Sequence, residues 1–231
     1  MNDRFPSTRH SLIFAVKQPD LRDDALAAIA EIYWKPAYKY IRLRWHKSVE
    51  DAQDLTQAFF AEALLDRDLL ARWDPERASF RTFLRLSIDA HVKNDLTAAA
   101  RQKRGGGLLL DFNGAELEIA NANAASPEDL FHREWQRRMF ELAIEDLRAA
   151  CLTGGQEIRF RIFEQYDLTD DPRPAYADLA AVHGIPVTTV TNHLAWSRRE
   201  LKRLIEERLL RATSGSDEAR REVRELFEKK A

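Results

Sequence analysis

Apolar residues recur every three or four positions through most of the chain, and the strict alternation that marks a strand is nearly absent. The pattern predicts an all-α fold. From Asp20 to about Arg44, Leu21, Leu26, Ile29, Ile32, Tyr33, Tyr40 and Ile41 share a face, with Pro36 expected to kink or divide the helix. Ser48 reads as an N-cap, with Glu50 and Asp51 in the first turn, for a helix running to about Leu65. Its buried stripe would be Leu55, Phe59, Phe60, Ala63 and Leu64, leaving Asp54, Gln57 and Ala61 outside. After the turn-like Asp74-Pro75, a long helix starts near Ser79 with Phe80, Phe83, Leu84, Ile88, Val92 and Leu96 inward. Gly105-Gly106-Gly107 ends it.

The helical pattern returns from about Pro127 to Ala150 and from about Gln156 to Tyr166, before Asp170-Asp171-Pro172-Arg173-Pro174 breaks the chain. Thr213-Ser214-Gly215-Ser216 then precedes a short amphipathic helix, Asp217 to Lys230, whose apolar stripe is Val223, Leu226 and Phe227. These signals divide the chain into a helical domain over 1–107, a flexible acidic linker over 108–126, a second helical domain over 127–211 and a C-terminal extension over 212–231.

The run from Asp178 to Ile205 reads as a helix-turn-helix. Ala180 supplies a small residue at the helix crossing, Gly184 tolerates positive φ in the turn, and Val190 is an apolar plug from the second helix. At about 100° per residue, Val187, Val190, Leu194, Leu201, Leu204 and Ile205 fall on an inward arc. Thr188, Asn192, Ala195, Arg199 and Arg203 lie opposite, flanked by Thr191 and Trp196. Asn can pair bidentately with adenine, Thr can meet a thymine methyl, and Arg can bind guanine or phosphate. A helical hairpin with a solvated polar face would show the same short pattern.

Composition narrows the partner classes. At 45% hydrophobic and 32% charged residues the chain is that of a soluble globular protein, and no apolar run approaches the roughly 20 residues that cross a bilayer. Its N-terminus lacks the order of a secretion signal, so a cytoplasmic location is expected. A net charge of −2 argues against a free-standing general nucleic-acid binder, and the charge is unevenly spread. From Ser79 to Gly107 six basic residues (Arg81, Arg85, Lys93, Arg101, Lys103, Arg104) face two acids, and from Pro186 to Arg211 six face three. Gly105 to Leu130 carries five acids and no base. The first basic helix could track phosphates with Trp73, Phe80 and Phe83 stacking on unpaired bases, although both phenylalanines also sit at core spacing.

Catalysis is not expected. The six histidines form no HExxH pattern, there is no glycine-rich phosphate loop, and no nucleophile, base and orienting group can be assembled. Cys151 is the single cysteine and has no neighbour at metal-ligand spacing. No metal site, cofactor, small-molecule substrate or membrane association is expected.

Read together, DAQDLTQAFF (51–60), DPERASFRTFLR (74–85), ARQKRGGG (100–107) and VTTVTNHLAWSRREL (187–201) resemble an extracytoplasmic-function (ECF) RNA polymerase sigma factor over nearly the whole chain. The resemblance implies a non-catalytic subunit that binds core RNA polymerase and promoter DNA, with a protein regulator such as an anti-sigma factor as a further partner. It places Asp51, Asp54 and Gln57 against the polymerase. Arg81, Arg85, Lys93, Arg101 and Arg104 would hold the melted non-template strand of the minus-ten element, and Thr188, Thr191, Asn192, Trp196, Arg198 and Arg199 would meet the minus-thirty-five duplex. The acidic linker would pass toward the RNA path of the polymerase. Three departures stand out: Phe83 takes a slot where many relatives carry Trp, Asp89-Ala90 replaces a pair that is often basic residue and Asn, and Thr191, His193 and Trp196 stand where many relatives carry basic residues in the recognition helix. The residues alone also fit a helix-turn-helix repressor or activator that binds an operator as a dimer, or an adaptor that binds no DNA.

Overall fold

A computed structural model of the chain describes residues 15–16, 18–65, 69–70, 72–74, 76–104, 126–169 and 172–212, with 220, 222–224 and 226 near the C-terminus. Among the described residues the α-helices include α1 (Arg22–Arg44), α2 (Val49–Leu65), α3 (Phe80–Arg104), α4 (Pro127–Thr153), α5 (Glu157–Asp167), α6 (Tyr176–His183) and α7 (Val187–Ala212). No strand occurs among the described residues, in agreement with the all-α expectation. No described helix is long and apolar enough to cross a membrane. The linker over 108–126 lies outside the described residues but for Ser126.

The chain falls into two compact units, the first comprising residues 1–138 and 212–214, the second 139–211 and 215–231. The division falls inside α4, so its segment Pro127–Arg138 belongs to the first unit.

In the first unit, α1 follows a 3-10 turn over Pro19–Leu21 and runs without interruption through Pro36, which is buried. The expected division at this proline does not occur. Leu26, Ile29, Ile32, Tyr33, Tyr40 and Ile41 are buried as their spacing predicts, whereas Leu21 is 48% exposed because it precedes the helix proper. Ser48 caps α2, its Oγ accepting from the Asp51 N–H at 3.0 Å. Ala52, Leu55, Thr56, Phe59 and Phe60 are buried on that helix, and Asp54, Gln57 and Ala61 face outward. The Thr56 hydroxyl satisfies itself by donating to the Ala52 carbonyl at 2.6 Å.

Ser79 starts α3 through a 3.2 Å bond from the Thr82 N–H. Phe80 makes edge contacts with Tyr33 and Trp73, both at 5.6 Å between centroids, each pair contributing about 0.5–1.5 kcal/mol beyond its buried area. Leu84, Ile88 and Val92 complete the inward stripe. Leu96 does not join it. Every described side chain from Lys93 to Ala99 is exposed, because the last turns of α3 extend past the helices that bury its first half. Ser126 caps α4 by exchanging hydrogen bonds with Asp129, and Phe131 packs edge-on against Tyr40 at 5.4 Å.

In the second unit, α4 ends at Thr153 and the chain turns through Gly155, whose φ of 63° a side chain would strain. One cluster joins α5, α6 and α7 through Ile162, Leu179, Ala180, Val190 and Leu194, and a second joins α4 and α5 through Leu147, Cys151, Phe160 and Phe163. Burial of a side chain the size of Val190 or Leu194 contributes about 1.5–3 kcal/mol. The Cys151 thiol lies within the second cluster, where burial pushes its pKa up, which makes it a packing residue rather than a reactive one. Of the expected C-terminal stripe, Val223 and Leu226 are half-buried and Phe227 lies outside the described residues.

Candidate nucleic-acid interface

Two basic helices carry the sequence-predicted contacts, and they are built differently. In the second unit, α6 ends on Gly184 in the left-handed region (φ 63°), with Gly184 N–H donating to Ala181 O at 3.3 Å and Ile185 N–H to Ala180 O at 3.0 Å. This paired closure satisfies two terminal carbonyls and turns the chain within three residues. Pro186 then caps α7 through its carbonyl, which accepts from Thr189 N–H at 2.9 Å. Ala180 is 7% exposed at the crossing, and Val190 is fully buried there. The packed face fixes which side of α7 is turned away.

That outward side carries Thr188, Asn192 and Arg199, all exposed, with Ala195 half-buried among them. Thr191 is exposed and spends its hydroxyl on the Val187 carbonyl at 3.2 Å. Val187 departs from the inward arc its spacing predicts and is 45% exposed. It is the first residue of α7, and the packing cluster reaches only from Val190 onward. Ser197 is buried with no hydrogen-bond partner for its hydroxyl.

Two predicted readers of duplex DNA are engaged within the unit. The Arg198 guanidinium donates from Nε and Nη2 to the two Asp167 oxygens, both at 2.9 Å, and lies 5.6 Å from the Tyr166 ring centroid. Hydrogen bonding to Asp167 raises its pKa further. Trp196 is half-buried against the α4–α5 cluster, with the Arg159 guanidinium 4.4 Å from its ring centroid. Arg159 Nε also donates to His193 Nδ1 at 3.3 Å. Burial, then the charge of Arg159, holds the His193 pKa below its ordinary value, so the ring is neutral and accepts at Nδ1. Sequence spacing could flag Trp196 as a flanking residue, and only the resemblance added Arg198; neither could reveal Arg159, Tyr166 or Asp167 as their partners.

In the first unit, α3 places Arg85 and Asp89 on its half-buried side. Asp89 accepts from the Tyr40 hydroxyl at 3.0 and 3.1 Å, from Trp45 Nε1 at 3.1 Å and from Arg85 Nη1 at 3.2 Å. Arg85 reaches Glu128 with its Nη2 at 3.8 Å, and its side chain is only 13% exposed. Desolvation first, and the Asp89 charge second, push the Tyr40 pKa up to about 12. Asp89 is therefore the centre of a polar knot joining α1, α3 and α4. Arg81 lies over the Trp135 ring at 4.6 Å. Lys93 is exposed, whereas the Arg101 and Arg104 side chains lie outside the described residues. Trp73 and Phe80 are buried core residues rather than free stacking platforms.

On α2, Asp51, Asp54 and Gln57 are exposed along one side with Glu50, Gln53 and Ala58. Among the described residues no group of three or more His, Cys, Asp or Glu side chains could hold a metal ion. No family model matches the chain, and no curated protein or solved structure is significantly similar to it.

Proposed function

We propose that the chain is a sigma-type specificity subunit of RNA polymerase, of the extracytoplasmic-function class, acting in the cytoplasm. The observation that carries this reading is the outward face of α7: Thr188, Asn192 and Arg199 are exposed together while Val190 and Leu194 anchor the same helix from behind. A face of hydroxyl, amide and guanidinium on a helix about 10–12 Å across suits a major groove about 12 Å wide.

The residues divide the work as follows. α6, its glycine turn and α7 act as a helix-turn-helix that reads the minus-thirty-five element as duplex, Asn192 pairing with adenine and Arg199 with guanine or phosphate. The exposed side of α2 at Asp51, Asp54 and Gln57 docks on core polymerase. The free end of α3, with Lys93, Arg101 and Arg104, lies along the melted non-template strand. Arg85 is held by Asp89 and Glu128 and acts by shaping the first unit rather than by touching DNA. A net charge of −2 accords with a subunit whose affinity for DNA comes largely from its polymerase partner.

The test is reconstitution of the purified chain with bacterial core polymerase on a promoter library, followed by mapping of transcript starts. Association and initiation from a common pair of elements are expected. Absence of association, or tight binding of a dimer to an operator without polymerase, would overturn the reading.

A further inference from the structure

Arg198 and Trp196 are two positions apart on α7, which sets them about 160° apart around the helix axis. Thr188, Asn192, Ala195 and Arg199 fall between them. Each edge residue joins a stack of guanidinium on aromatic ring. On one edge, Tyr166 carries Arg198 and Arg173, each 5.6 Å from the ring centroid. On the other, Trp196 carries Arg159 at 4.4 Å.

The charges of the two stacks are not all committed. Asp167 neutralises Arg198, so the uncompensated cation on the first edge is Arg173, which is exposed and has no carboxylate partner among the described residues. Pro172 and Pro174 flank it, and a residue before proline is confined to extended backbone, so few conformations compete with the stacked one. On the second edge, Arg159 uses Nε on the neutral His193 ring and has no carboxylate partner among the described residues. Its net positive charge is retained.

Resting on the duplex-reading role assigned to α7 above, we infer that these two stacks are phosphate clasps, one for each DNA strand that borders the groove. A helix lying in a major groove has a phosphate backbone along each side, and a cation at each edge fixes its depth and register while the residues between them reach the bases. Arg173 and Arg159 bind the phosphates. Tyr166, Trp196 and Arg198 are positioning residues: the rings hold the guanidinium planes, and the Arg198–Asp167 pair ties the end of α5 to α7. Trp196 and Arg198 thus leave the set of base readers, and Arg159 and Arg173, which sequence spacing did not single out, enter the interface.

The experiment uses the full chain bound to bacterial core RNA polymerase and a promoter duplex selected from the library above. Single phosphates are replaced by neutral methylphosphonates along each strand of the upstream element, and affinity is measured as a function of salt. The wild-type complex should lose affinity at one position on each strand. Arg173→Ala should become indifferent to one of the two substitutions and Arg159→Gln to the other. Each variant should lower the slope of log affinity against log salt by about 0.9, which is a loss of about 3.5-fold in salt sensitivity between 50 and 200 mM. The preferred base sequence should stay unchanged. Because neutral phosphates probe the wild-type chain, the result does not depend on the variants folding. Promoter binding with no strand-paired phosphate sensitivity would overturn the clasps while leaving the sigma reading intact, as would a changed sequence preference in Arg173→Ala. Failure of the wild-type chain to join polymerase would overturn both.

Discussion

The basic helices α3 and α7 carry similar numbers of cations and differ in what their outward faces leave open. On α3, Arg85 is drawn inward to Asp89 and Glu128, Arg81 lies over Trp135, and an unbroken run of exposed side chains occurs only from Lys93 to Ala99. On α7, Arg198 pairs with Asp167 at an edge, and Lys202, Arg203 and Arg208 pair with Glu206, Glu200 and Asp146 farther along, while Thr188, Asn192 and Arg199 stay exposed on the outward face with no ion pair among the described residues. Charge counted along a sequence does not distinguish a cation that holds a fold from one that meets a partner. The distinguishing quantity is where the nearest carboxylate sits in space.

The largest expected effect tests the inward use of α3. Asp89→Ala strips the acceptor from Tyr40, Trp45 and Arg85 and leaves a mostly buried guanidinium with the distant Glu128 alone. Loss of about 3 kcal/mol in chemical denaturation is expected, in the range for removing one member of a buried pair. On α7, Arg199→Ala should change stability by less than about 0.5 kcal/mol. Equal and small losses at both sites would break the contrast.

Next comes the outward use of α7. Asn192→Ala should cost about 1–3 kcal/mol of discrimination at one base pair of the upstream element and leave the melting temperature of the chain in place. Sequence profiles of initiation by the reconstituted polymerase read this directly. A uniform loss over all promoters would instead make Asn192 a general contact.

The turn that aims α7 gives a similar or smaller effect. Gly184 has φ 63° and no atom within 4 Å of where a Cβ would stand, so Gly184→Ala meets backbone strain alone. About 1 kcal/mol of destabilisation is expected, with Gly184→Asn milder because asparagine tolerates this region. Circular dichroism melts of the two variants would show the order.

The pH responses of the two units should also diverge. Tyr40 has its pKa raised to about 12 in the fold against about 10 when unfolded, so the native state holds the proton more tightly. Its contribution is fully present below pH 10 and is lost as pH rises toward 12, and Tyr40→Phe should flatten that alkaline limb. His193 has its pKa lowered, so the unfolded chain binds the proton more readily. Stability from this site is present above about pH 6.5 and falls as the solution is acidified, more weakly than the tyrosine limb. Denaturant titrations of His193→Gln between pH 7 and 5 should show a shallower fall than wild type.

What the sequence by itself determined is local: the helical period, the cap at Ser48, the helix start at Ser79, the left-handed turn at Gly184 and the plug at Val190. These follow from neighbours within a turn or two, where backbone geometry fixes who meets whom. Periodicity failed at Leu21, Leu96 and Val187, because a face is buried only as far along a helix as another element covers it. Only the tertiary structure decided which charges are tied. Asp89 gathers partners from positions 40 and 45, Asp167 takes Arg198 across 31 residues, and Arg159 settles on a tryptophan from another helix. Such pairs depend on the packing of whole helices against each other, and no local pattern encodes their distance.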